Sequence, residues 1–153
     1  MKLYLVQHGE AVSEEVDIQR PLSSKGRLDV RKVADFLRRA RLKVQLIWHS
    51  GKVRALQTAE ILGEALSIEG SVIMKEGLAP LDPVEEVENE LREREEDLMI
   101  VGHLPFLGKL VSRLLIGSGS PNLVTFQQGA VVCLERLETK SWYIRWMVIP
   151  ELL

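Results

Sequence analysis

Short apolar runs alternate with stretches of helical period through most of this 153-residue chain. No other feature constrains the fold as tightly. The runs at 2–7, 44–48, 71–74 and 98–101 are each too short for a buried helix and read as strands. Between them, residues 24–39 carry Leu28, Val33, Ala34 and Leu37 at helical spacing, with Ser23 or Ser24 as the cap. Residues 52–66 place Ala55, Ala59, Leu62 and Leu66 on one side, and a charged helix is expected over 83–95. A further helix runs from Pro105 to about 115, since proline suits a first helical turn. The runs at 129–137 and 142–149 are rich in Val, Ile and Trp, and Trp142, Ile144, Trp146 and Val148 alternate as in a hairpin strand. The expectation is one α/β domain over 1–153: a layered sandwich around a mainly parallel sheet, with an antiparallel C-terminal hairpin.

Composition narrows the partners. The formal net charge of -2 gives no support for nucleic-acid binding, which usually shows a basic excess. Cys133 is the single cysteine and lies in an apolar run, so it reads as a buried strand residue and gives no sign of an oxidising compartment. The first apolar run is too short for a signal peptide, and no stretch reaches the length of a membrane span. The expected location is the cytoplasm, without membrane association. The acidic run 85–90 reads as a solvated helix face.

In open parallel sheets, ligands bind beyond the carboxyl ends of the strands. The first strand ends in Gln7-His8-Gly9, the second in His49-Ser50 with Arg54 on the next helical turn, and the fourth in Gly102-His103. All three histidines thus fall at strand ends. Helix N-termini nearby favour anions, and arginine forks match phosphate. Three histidines could also bind zinc, but no carboxylate or cysteine cluster accompanies them, so no metal site is assigned. His49 reads as a rim residue.

These residues resemble the motifs of a known family. Gln7-His8-Gly9-Glu10 resembles the Arg-His-Gly-acid signature of the histidine-phosphatase superfamily. Arg20-Pro21-Leu22-Ser23-Ser24-Lys25-Gly26 resembles its Pro-Leu-Ser/Thr-x-x-Gly segment. The arginine before the proline is typical of the short, SixA-type phosphohistidine phosphatases. Ser50-Gly51-Lys52-Val53-Arg54-Ala55-Leu56-Gln57-Thr58-Ala59 resembles the superfamily's Ser-x-x-x-Arg-Ala-x-Gln-Thr-Ala helix start. Val101-Gly102-His103-Leu104-Pro105 resembles its Gly-His-x-Pro segment.

The resemblance implies a phosphoglycerate mutase-like three-layer fold and a set of roles. His8 is implied to be the nucleophile that becomes phosphohistidine. Arg20, Arg54 and His103 are implied to act with it and to bind phosphate, with His103 cationic when phosphate is bound. Gln7, Gly9 and Ser50 are expected around the same anion. A backbone carbonyl near Gly9 is the expected holder of the second ring nitrogen of His8, and Gly9 is expected to adopt a turn conformation. Glu10 is expected to order the loop. No cofactor is implied.

One departure stands out: Gln7 occupies the position of the family's first arginine. Glutamine still donates N–H bonds but carries no charge, with His49 or Lys25 as candidate compensators. The acid used by ester-cleaving members has no clear match in Glu76 or Asp82. Phosphohistidine tolerates that lack, because imidazole has a pKa of about 6.5 and can leave as a neutral ring. There is also no room for a cap beyond one helix between Leu66 and Leu98. The expected activity is therefore removal of phosphoryl groups from a phosphohistidine-bearing protein, releasing inorganic phosphate, by a monomer. The alternatives are a phosphatase or mutase for a small phosphate ester, or a non-catalytic phosphohistidine-binding module.

Overall fold

The structure, a computed structural model, describes residues 1–153 apart from the side chain of Glu69. Six strands form one sheet in the order β3-β2-β4-β1-β5-β6. In chain order the elements are β1 (Lys2–Gln7), α1 (Ser24–Arg39), β2 (Ile47–His49), α2 (Val53–Ala65), β3 (Val72–Met74) and α3 (Glu85–Glu93). They continue with β4 (Leu98–Gly102), α4 (Phe106–Ile116), β5 (Val131–Arg136) and β6 (Trp142–Val148). Strands β3, β2, β4 and β1 are parallel, β5 pairs antiparallel with β1, and β6 pairs antiparallel with β5. This is the α/β sandwich with a C-terminal hairpin that the alternation predicts.

The apolar runs are continuous because the sheet is covered on both faces. Along β1, Leu3 and Leu5 enter one core with Leu91 of α3 and Phe106, Leu107 and Leu110 of α4. Tyr4 and Val6 enter the other, with Val30, Val33 and Leu37 of α1 and Ala55, Ala59 and Leu62 of α2. The period of two thus sorts each strand between two helical layers. Cys133 is fully buried in the second core, and burial pushes its thiol up to about 11. Among the described residues, no helix is long and apolar enough to cross a membrane.

Several boundaries differ from the sequence expectation. The second strand pairs only over Ile47–His49 rather than 44–48, although Val44 is buried. Helix α3 begins after Pro83 and ends at an extended Arg94. Its last carbonyls are capped by the buried Arg136 guanidinium, which donates to Leu91 at 2.6 Å and also to Arg94. Pro105 is the N-cap of α4 rather than a residue of its first turn. Strand β6 does not present one buried face. The register shifts between Cys133 and Leu134, whose partners are Trp146 and Ile144, leaving Arg145 as an extra residue. That bulge moves Trp142 and Ile144 to one face and Trp146 and Val148 to the other. Trp146 is consequently exposed on the sheet edge, not part of a core.

Candidate active site

Sheet order assembles the site. Strand β4 lies between β1 and β2, with Gln7 in register with Gly102 and His49 with Val101. The residues that follow these strands therefore emerge side by side. The rings of His8 and His103 have centroids 5.0 Å apart.

His8 is buried, at 7% exposure, and both ring nitrogens are engaged. Nδ1 donates to the Gly9 carbonyl at 2.7 Å. Arg54 Nε donates to Nε2 at 3.4 Å. Both contacts demand the same tautomer, protonated at Nδ1 with the lone pair on Nε2. Burial, opposed by the Gly9 carbonyl and reinforced by the charges of Arg54 and Arg20, pushes the His8 pKa down to about 4. The ring is a neutral base at physiological pH.

His103 is held differently. Its Nε2 lies 2.6 Å from Ser50 Oγ, while its Nδ1 is buried without a hydrogen-bond partner. Burial, then His8, Arg54, Lys52 and Arg20, pushes its pKa down to about 3. The cationic state expected with phosphate bound is thus not the state of the ring in this structure, where it is neutral. A phosphoryl dianion beside it would act in the opposite sense to those surrounding cations.

The two arginines sit within each other's field, and neither makes an ion pair among the described side chains. Arg20 Nε donates to the Val12 carbonyl at 3.1 Å. Its backbone has φ 49, the left-handed region that non-glycine residues seldom occupy and that recurs at functional sites. Burial and then Arg20 lower the Arg54 pKa, opposed by Glu14. Unneutralised, partly buried guanidinium groups are unfavourable unless an anion completes the site.

The loop around His8 is braced by α1 and α2. Ser23 caps α1 by accepting from Gly26 N–H at 3.0 Å, and its hydroxyl donates to Glu10 Oε2 at 2.5 Å. Gly26 is required for space, since a Cβ there would stand 2.1 Å from the Glu10 carbonyl oxygen. Gly9 is required for the same reason and not for a turn conformation: a Cβ would meet Val30 Cγ2 at 2.7 Å. Thr58 accepts from Gly9 N–H at 3.0 Å, and Gln57 Oε1 accepts from Leu22 N–H at 2.8 Å. These two residues stood in the quoted motif without an assigned role; they tie α2 to both catalytic-end loops.

Other expected residues have other partners. Lys25 pairs with Asp29 at 2.6 Å, and His49 Nδ1 accepts from Gly51 N–H at 3.1 Å. Ser50 does not cap α2. Gln7 has its Oε1 buried without a partner. Asp82 accepts from Ala79 N–H at 2.8 Å and so holds its own loop, while Glu76 is exposed. No three His, Cys, Asp or Glu side chains among the described residues are grouped to hold a metal ion.

A neutral imidazole whose Nε2 lone pair faces a guanidinium, with a second guanidinium that makes no ion pair, at the carboxyl edge of a parallel sheet, is an arrangement suited to an anion such as phosphate. Residues 3–83 match the histidine phosphatase superfamily (branch 1), and the chain belongs to that family. It is 26% identical over 155 residues to the phosphohistidine phosphatase SixA of Escherichia coli (strain K12), an alignment covering 98% of this chain and 94% of that protein. A solved structure of the protein histidine phosphatase SixA complexed with tungstate superposes with a TM-score of 0.88 at 25% identity, covering 99% of each chain. A mycobacterial glucosyl-3-phosphoglycerate phosphatase shares the fold, with a TM-score of 0.72 at 17% identity over 94% of this chain and 96% of that one.

Proposed function

We propose that this phosphatase removes the phosphoryl group from phosphohistidine side chains of another protein, with His8 as the covalent carrier. The observation that carries the reading is the pair of contacts on the His8 ring, which locks the proton on Nδ1 and leaves the Nε2 lone pair facing Arg54. In the first step Nε2 attacks phosphorus in line, and the N–P bond to the substrate imidazole breaks. The substrate ring, protonated on its far nitrogen, leaves neutral. Arg20 and Arg54 bind the equatorial oxygens, with Gln7, Ser50, the Gly9 loop and His103 completing the shell. In the second step water attacks phosphorus, the His8 N–P bond breaks, and inorganic phosphate leaves.

The side-chain inventory favours phosphohistidine over an ester. An alkoxide leaving group calls for a general acid, and of the two candidates after β3, Asp82 is committed to Ala79 and Glu76 is exposed. Only the 75–84 loop and α3 lie between β3 and β4, so no cap covers the site from that segment. On this reading the chain works as a single domain over 1–153, as a monomer in the cytoplasm. Phosphate release from a phosphohistidine protein and from p-nitrophenyl phosphate, for the wild type and His8→Ala, tests it. The expected result is turnover of the phosphohistidine protein that is lost in His8→Ala. A wild type as inert as the variant, yet still binding the phosphoprotein, would make the chain a binding module.

A further inference from the structure

The site is short of permanent positive charge. Gln7 is neutral, His8 and His103 are neutral, and Arg20 and Arg54 remain. Lys52 stands between two residues already committed to the site. Two positions before it, Ser50 Oγ touches His103 Nε2 at 2.6 Å; two positions after it, Arg54 Nε touches His8 Nε2 at 3.4 Å. The Lys52 N–H itself points back to Ser50 Oγ at 3.4 Å, across the turn made by Gly51 at φ 89. Lys52 is the N-cap of α2, its side chain is exposed, and it makes no ion pair among the described side chains. Its charge is one of those acting on the His103 ring.

The reach is short. Lys52 lies three residues past His49, the end of β2, and the neighbouring strand β4 ends at Gly102, the residue before His103. The two strands themselves lie about 4.8 Å apart, a spacing that a flexible four-carbon stem can cross. The same sheet order puts Gln7 one strand further on, beside Gly102. Lys52 thus follows β2, whereas the loop that carries Arg20 follows β1, on the other side of β4.

We propose that Lys52 is a phosphate-contacting residue of this site, supplying from the start of α2 the positive charge that Gln7 does not. This rests on the phosphatase reading above and assigns a further specificity to the same pocket. Lysine here acts as a mobile point charge, where an arginine at position 7 would present a fixed fork.

The test is a double-mutant cycle of Lys52→Met and Gln7→Arg, read by the inhibition constant of inorganic phosphate and by kcat/KM on a phosphohistidine protein. Lys52→Met is expected to weaken phosphate about ten- to a hundredfold, the range of a hydrogen bond to a charged group. Lys52→Arg should retain most of the affinity. In the Gln7→Arg background the loss should shrink to below about threefold, because the two cations serve one anion. An unchanged phosphate constant in Lys52→Met, or an equal loss in both backgrounds, overturns the proposal while leaving the phosphatase reading intact. A wild type that neither binds phosphate nor turns over removes both. A thermal melt of each variant separates the outcomes from misfolding, since a merely structural lysine would move the melting temperature and not the phosphate constant.

Discussion

Arg54 Nε aims at Nε2 of His8 across 3.4 Å, from the first turn of a helix to the residue just past a strand. On the proposed reaction, the contact makes the guanidinium a placeholder on the attacking lone pair. When a phosphoryl group enters, the same donor can turn to its oxygens with little rearrangement, which is the preorganisation that phosphoryl transfer requires.

His8→Ala removes the proposed nucleophile, a ring whose tautomer is fixed by the Gly9 carbonyl and Arg54. Turnover should fall by at least about a thousandfold. Acid-labile, alkali-stable label from a radiolabelled phosphohistidine protein should accumulate on the wild type and be missing from His8→Ala. Label on the variant would move the nucleophile elsewhere.

The protonation of the pair gives a pH prediction with a definite sign. The folded pKa of His8, about 4, and of His103, about 3, lie below the ordinary value of about 6.5. Between those limits the unfolded chain binds more protons than the folded one, so stability rises with pH and levels off above about 6.5. Read downward, stability falls from about 6.5 through 4 and 3. Melting temperatures across pH 4 to 7 should show that slope, and the double variant His8→Gln, His103→Gln should flatten it. Ring-nitrogen NMR of the wild type should show His8 protonated at Nδ1 alone at pH 6. A doubly protonated ring there would contradict the proposed nucleophile.

Gly26→Ala would drive a methyl group into the Glu10 carbonyl, at a separation of 2.1 Å before relaxation. The neighbour is backbone, so the clash must shift either α1 or the His8 loop. A loss of about 2 kcal/mol or more in urea denaturation is expected, with a drop in kcat. Gly119→Ala, whose nearest neighbour is Lys109 Cγ at 4.0 Å, should be close to neutral and serves as the control.

Arg136→Ala should separate stability from activity. The buried guanidinium holds the Leu91 and Arg94 carbonyls at the end of α3 and pairs with Glu95 at 3.2 Å, remote from His8. Removing it leaves buried carbonyls unpaired, at a cost of about 2–4 kcal/mol. Chemical denaturation should register that loss, while kcat/KM at low temperature stays within about twofold of the wild type.

The alternation of apolar runs and helical periods, and the histidines at three run ends, were legible without coordinates, because periodicity and turn chemistry are local properties. Residues 24–39 fold as the expected helix to the residue. The β6 face was not legible, since one bulged residue reverses the alternation and its signal lies in the pairing with β5. The role of Gly9 was misread for a similar reason. What excludes a side chain there is Val30, twenty-one positions away in the chain and in contact only after α1 packs on the sheet.

The linear order of residues determined the α/β class, the family motifs and the presence of His8, Arg20, Arg54 and His103 near strand and helix ends. Tertiary structure alone decided that β4 lies between β1 and β2, and therefore that His103 stands against His8 while His49 turns into its own loop. It also decided that both site rings are neutral, and that Lys25 pairs with Asp29 while Arg54, Lys52 and Arg20 act on His103. Strand adjacency and proton affinity both depend on segments far apart in the chain: the first arises from how crossover helices pack, the second from how much water and charge that packing leaves around a ring.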